Sequence, residues 1–450
     1  MKNILLIMLL LVGPVIAGYG QQAAQPKAEV YNYSLKDCIN YAYAHQDTVL
    51  NAQLDTKSAE YKVKETTATG LPQISGSANF TDYLKIPTTL IPGQFFGQPA
   101  GTFVPVQFGV KYQSNLGLSL SQLLFDASYL VGLKASRTYK ELSQRNYTRS
   151  KIDANVNVTK AYYQVLVSNE QVKLLDADLV QLKQQVDQTA AQNKQGFVEK
   201  IDVQRIQVQY NNLVTMRENT LRLLALNYQL LKFQMGMPVD AELVLTDKLE
   251  DVSMADPQEN NSDTTFYHNR IEYNLLETQE KLNELDVANK KAHFYPTLSL
   301  NANYNSSYQN NNFGNLYSSN FPSSYVGLTL NVPIFSSGLR INQLRESKIE
   351  VLKSQNDLAN IKNGILLQAN ASHITYINSL KSLDNQKENQ KLAQEVLRVS
   401  KIKYQQGVGS SIEVTQAQTD LESADNQYIQ ALYNALISKV DLDKAYGRIQ

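Results

Sequence analysis

The sequence predicts a mainly α-helical fold with a transmembrane β part, in which long coiled-coil helical hairpins carry four strands per chain. Three observations point there. From Leu133 to Gln195 there is neither glycine nor proline, and Val172, Leu175, Leu179, Leu182 and Val186 step by three and four, the seam of a coiled coil. Four other segments of about ten residues alternate apolar and polar side chains, the period of a strand. Residues 192–203 return as residues 403–414, with Gln195/Gln406, Gly196/Gly407, Ile201/Ile412 and Val203/Val414 identical and Asp202 opposite Glu413. In both copies a glycine is placed to end one helix and a hydrophobic-acid-hydrophobic run to begin the next. The chain therefore reads as a duplicated helical hairpin with two tips.

In chain order, Met1-Lys2-Asn3, an apolar run over 4–17 and the small residues Gly18 and Gly20 form a secretory signal, placed over residues 1–20. Its apolar run is about 14 residues, short of the roughly 20 that cross a bilayer as a helix. Ser34 is a good N-cap for one helix over 34–69, which Gly70 and Pro72 stop. Ile74, Gly76, Ala78 and Phe80 then alternate with Ser75, Ser77, Asn79 and Thr81 as a first strand. Residues 85–109, with Pro87, Pro92, Pro99 and Pro105, read as a long loop before a second strand over 113–124. A helix over 133–195 and a return helix over 200–235, closed by Gly236 and Pro238, complete a first structural repeat, 33–238.

Residues 239–264 are the linker, and the plan recurs in a second repeat, 265–449. A helix over 266–293 ends at Tyr295-Pro296. A third strand presents Leu298, Leu300, Ala302 and Tyr304 against Ser299, Asn301, Asn303 and Asn305. After a polar loop over 309–324, the fourth strand sets Val326, Leu328, Leu330 and Val332 against Gly327, Thr329 and Asn331. Pro333 and Gly338 end that strand, and a long helix to Gln406, interrupted only by Gly364, and a return helix over 412–446 follow.

Composition narrows the function classes. Basic and acidic residues balance at 42 each, which gives no reason to expect a nucleic-acid partner. His45, His268, His293 and His373 are scattered singly, without metal-ligand spacing. Cys38 is the one cysteine and lies outside any small-residue lipoprotein setting, so neither a disulfide framework nor a lipid anchor is expected. No nucleophilic triad, phosphate loop or cofactor motif is present, and an enzyme is not the reading.

Each strand has the length that crosses a bilayer when tilted, one apolar face fit for lipid and one Ser/Asn/Gly/Thr face for a wet lumen. Phe125, Phe294, Tyr295 and Phe335 stand at the strand ends nearest the helices, where an aromatic girdle would lie, and Tyr83 and Tyr308 at the other rim. A soluble sandwich is the competing use of such strands. Four strands do not close a membrane barrel, the smallest of which have about eight, so the membrane reading requires several copies, and three would supply twelve strands.

The order of elements over about 33–449, with the tips Tyr404-Gln-Gln-Gly407 and Ile412-Glu-Val414, resembles the TolC-like outer-membrane channel family of efflux and type I secretion systems. The resemblance implies a homotrimer with a twelve-stranded β-barrel in the outer membrane and a periplasmic α-barrel. It also implies docking to a periplasmic adaptor that joins the channel to an inner-membrane pump. By the same resemblance Asp202 and Glu413 line a closed periplasmic aperture, and Tyr404 braces a neighbouring hairpin. Gln416 stands where the family can carry a second acid, and Gly409 where it can carry a basic latch. The exposed tips Gly196-Phe197-Val198 and Gly407-Val408-Gly409 are the candidate docking surface. From the residues alone, complementing a helix dipole is the preferred reading of each acid, and a plain helix cap explains each glycine equally well. A secreted structural coiled-coil protein is the alternative function, and it leaves the four amphipathic strands unexplained.

Overall fold

The computed structural model describes residues 30–249, 254 and 265–449; the expected export signal lies outside the described residues. The chain opens with β1 (Val30–Tyr33), α1 (Leu35–His45) and α2 (Asp47–Thr69). Ser34 makes a full capping box: its Oγ accepts from Asp37 N at 3.3 Å, and Asp37 Oδ2 accepts from Ser34 N at 3.0 Å. The single helix expected over 34–69 is broken at Gln46, whose backbone is extended and whose Oε1 caps the second piece by accepting from Val49 N at 3.1 Å. The break lets another segment pass. Gly236 lies so close that a Cβ there would stand 2.6 Å from His45 O.

Four strands follow: β2 (Gln73–Asp82), β3 (Thr88–Pro92), β4 (Phe103–Gln107) and β5 (Tyr112–Phe125). The loop expected over 85–109 thus contains an antiparallel ribbon, β3 with β4. Thr88, Thr89 and Ile91 are β-branched, and Pro92 and Pro105 are tolerated because a two-stranded ribbon has an open edge on either side. The first hairpin is α3 (Ala127–Lys194) and α4 (Lys200–Met235). α3 begins before the expected position because Asp126 Oδ1 accepts from Ser128 N at 2.7 Å and Tyr129 N at 3.2 Å. With 68 residues it is about 100 Å long.

Within the expected linker, β6 (Glu242–Leu245) pairs in parallel with β1, a contact across more than two hundred residues that no local pattern announces. Then come α5 (Ile271–Ala292), β7 (Thr297–Asn310), β8 (Phe321–Asn331), α6 (Leu339–Gln405) and α7 (Ser411–Ala445). β7 is longer than expected and β8 starts earlier, so the polar loop between them is shorter.

The long strands form one antiparallel sheet in the order β2-β5-β7-β8. Register keeps the two faces largely distinct, with Tyr325 and Phe321 the aromatic exceptions on the polar face and Ser306 and Ser324 the polar ones on the apolar face. Ile74, Leu120, Ala302 and Val326 fall in one cross-strand row, and Ser77, Gly117, Asn305 and Ser323 in a row on the opposite face. Polar side chains bond across the second face, Ser75 Oγ with Ser119 Oγ at 2.7 Å and Asn301 Nδ2 to Thr329 Oγ1 at 3.1 Å. No second sheet packs on the apolar face among the described residues, so the sandwich reading is set aside: Ile74, Leu118, Val326, Leu328 and Leu330 are exposed. The apolar packing lies instead among the helices. Cys38, Ala42, Val158, Tyr162, Leu231 and Met235 gather α1, α3 and α4 around the β1–β6 pair.

Candidate functional site: two hairpin tips side by side

Both hairpins turn in the way their sequences dictate. At the first tip Gly196 takes φ +81°, Phe197 N donates to Gln192 O at 3.0 Å, and Asn193 Nδ2 donates to Val198 O at 2.8 Å. At the second, Gly407 takes φ +76°, and Val408 N and Gly409 N each donate to Lys403 O at 3.1 Å. Left-handed backbone at these two positions is the reason only glycine suits them. The tips differ in how the return helix is capped. Ser410 Oγ accepts from Glu413 N at 3.2 Å, whereas Glu199 offers its helix no side-chain bond.

The two acids that the sequence aligns have unlike surroundings. Asp202 is 18% exposed because it reaches across to the second tip, where Ser411 Oγ donates to its Oδ1; Arg205 Nη1 lies 3.7 Å from the same oxygen. Glu413 is exposed, and its carboxylate makes no ion pair among the described residues. Gln416 is also exposed and its Nε2 donates to Asp420 Oδ1 at 2.8 Å. Glu413, Gln416 and Asp420 follow one another at helical spacing on one face of α7. Asp420 therefore brings an acid to the stripe one turn beyond Gln416, and stepping three and four residues from Glu413 finds it in the sequence. Ser411, the partner of Asp202, carries no such signal.

Tyr404 packs against Val414, Ala417 and Leu421 and is half-buried. Burial and the nearby charge of Asp202 raise its pKa, and its hydroxyl has no hydrogen-bond partner among the described residues. Gly409 folds against the last turn of α6, so a Cβ there would stand 3.0 Å from both Lys403 Cβ and Tyr404 N. A basic side chain at this position would have to displace that turn. Phe197 and Val408 point outward, 77% and 78% exposed, while Val198 is half-buried.

The chain thus sets a half-polar four-stranded sheet at one end and a cluster of acid-bearing helical turns at the other, joined by helices too long for a globular domain. That is the build of an outer-membrane channel protein. Residues 38–225 and 277–448 match the model of the outer membrane efflux protein family, and the chain belongs to that family. It is 23% identical over 354 residues to outer membrane protein TolC of Escherichia coli (strain K12), covering 75% of this chain and 70% of that one. It is 25% identical over 345 residues to the probable efflux pump outer membrane protein TtgC of Pseudomonas putida, covering 75% of this chain and 69% of that one. Its fold is similar to that of the Neisseria gonorrhoeae MtrE outer membrane channel in its open state, with TM-score 0.73 at 16% identity over 95% of this chain and 97% of that one. The protein is an outer-membrane channel protein rather than an enzyme.

Proposed function

We propose that three copies of the chain form one export channel, for efflux or type I secretion, that spans the outer membrane and reaches through the periplasm to an adaptor and an inner-membrane pump. The observation that carries this reading is the sheet: an exposed apolar face, a predominantly polar opposite face, and outer edges on β2 and β8 that no strand among the described residues pairs. Unpaired edges in lipid cost several kcal/mol per backbone group, so the sheet must close with copies of itself. Two copies would give a barrel of about eight strands, filled by its own side chains; three give the smallest barrel with room for a lumen. The Ser, Asn, Thr and Gly face would line it.

In this reading the chain is two tandem repeats, 33–238 and 265–449, each supplying two strands and one hairpin, with 239–264 as a segment at the equator. The hairpins extend the lumen, and six tips meet at its periplasmic mouth. Glu413 and Asp420 would supply negative charge to that mouth, with Gln416 between them weakening the ring. Asp202, bonded to Ser411, would hold the two tips of one chain together, and Tyr404 would brace them. Gly196, Phe197 and Val198, with Gly407, Val408 and Gly409, would offer the adaptor small or apolar contacts.

Single-channel recording in planar bilayers tests the assignment. Glu413→Ala should lower cation selectivity, since a ring of like charge sets the sign of the permeant ion. Asp202→Ala should raise closed-state conductance. If neither quantity moves, the acids do not form the gate; if no heat-modifiable trimer is recovered from outer membrane, the channel reading itself fails.

A further inference from the structure

Between sheet and tips the two hairpins meet chiefly along α3 and α7, and the chemistry of that seam changes along its length. Toward the equator Val167 of α3 packs with Ile429, Leu432 and Leu436 of α7, and ion pairs Lys160–Asp441 at 2.6 Å and Lys444–Asp153 at 2.8 Å flank them. Toward the tips each hairpin keeps its apolar core to itself. Leu175, Leu182, Ile206 and Leu213 serve the first, and Leu397, Val414, Ala417 and Leu421 the second. The bonds between hairpins there are polar: Gln171 Nε2 to Asn426 Oδ1 at 3.4 Å, Lys401 Nζ to Gln181 Oε1 at 3.2 Å, Gln209 Nε2 to Thr415 O at 3.1 Å, and Ser411 to Asp202.

Within this polar stretch Asp178 of α3 and Asp425 of α7, 7% and 8% exposed, face each other within hydrogen-bonding reach. Two carboxyls in contact hydrogen-bond only if one of them keeps a proton. α6 adds Gln390, whose Nε2 donates to Asp425 Oδ1 at 2.7 Å, and Lys401, whose charge favours ionised Asp178. α4 adds the apolar Met216. On α7, Glu422 has a buried Oε1, and Gln418 one turn before it is 1% exposed and near enough to favour its ionised form, while burial and the charge of Asp425 oppose it.

We infer that Asp178 and Asp425, with Glu422 beside them, are a proton-operated latch between the hairpins: a shared proton bonds α3 to α7, and its loss places like charges in contact and parts the tip halves. The apolar cluster around Val167 and Leu436 is the fixed end about which they part.

Burial and the neighbouring acids push Asp178 up to about 7, and burial raises Asp425 and Glu422 as well. Groups raised in the folded chain hold protons that the unfolded chain has released. Their contribution is complete below the ordinary carboxylate range and is lost as pH rises through about 7, the value for Asp178. The latch belongs to one chain; only its consequence for an aperture rests on the channel reading.

Infrared difference spectroscopy of the intact protein should find a protonated-carboxyl band that disappears between about pH 6 and about pH 8, one unit either side of the Asp178 value. Asp178→Asn/Asp425→Asn should lack it. Spin labels on Phe197→Cys and Val408→Cys, in labelled chains diluted with unlabelled chains, should move apart over the same range, and should not in the double asparagine background. The spectrum of the unsubstituted protein is decisive even if that variant fails to fold: absence of a titrating carboxyl there overturns the latch. So does a label distance indifferent to pH, or one that lengthens equally in the asparagine background. A flat titration with intact conductance sinks the latch and leaves the channel standing.

Discussion

Gly236 shows how one residue ties distant segments. It ends α4 at φ +71°, and a Cβ would meet His45 O at 2.6 Å, where α1 and α2 break apart. Gly236→Ala should therefore destabilise the protein by about 2 kcal/mol or more, through strained backbone and a clash with main chain that does not yield easily. Gly364→Ala is the matched control. That glycine lies exposed inside α6 with nothing within 4 Å of a Cβ, so alanine should stabilise by about 0.5–1 kcal/mol. Thermal unfolding of the two variants measures both signs. Cys38 is fully buried and its thiol is pushed up to about 12 by burial. Maleimide should modify it only after denaturation, as mass spectrometry would record.

At the scale of elements, the sheet makes opposite demands on adjacent residues. Leu328 lies on the apolar face, in the row of Leu300; Thr329 lies on the polar face, bonded to Asn301. Leu328→Lys should cost about 2–4 kcal/mol of membrane stability if it lies near the bilayer midplane. Thr329→Lys should fold normally and reduce cation conductance instead. Urea titration in lipid vesicles and bilayer recording separate the two effects, and equal behaviour of both variants would remove the lumen-and-lipid assignment of the faces. The strand faces were legible because alternation is local. The β3–β4 ribbon was not, since four prolines outweigh a short β-branched run until the partner strand is known.

Across the whole molecule, the helices leave apolar residues uncovered on both hairpins. Leu223, Leu226 and Phe233 are exposed on α4, and Leu367 and Ile374 on α6. Burial of such side chains is worth about 1.5–3 kcal/mol each, and a neighbouring copy is what the channel reading offers to cover them. Leu223→Glu/Leu226→Glu should give detergent-solubilised monomers of undiminished helix content, by light scattering and circular dichroism. A trimer that survives both charges would place the contact between copies elsewhere.

Period and punctuation determined much of the protein from sequence alone: the heptad seam of α3, the four half-polar strands, the glycine tips and the pairing of Asp202 with Glu413. These are written within a few residues of one another, so they can be read without knowing what lies opposite. Tertiary structure alone decided the rest. It paired β1 with β6, broke the first helix at Gln46, gave Asp202 to Ser411 while leaving Glu413 exposed, and brought Asp178 to Asp425. Each depends on contacts between residues far apart in the chain, whose partners no local period can specify.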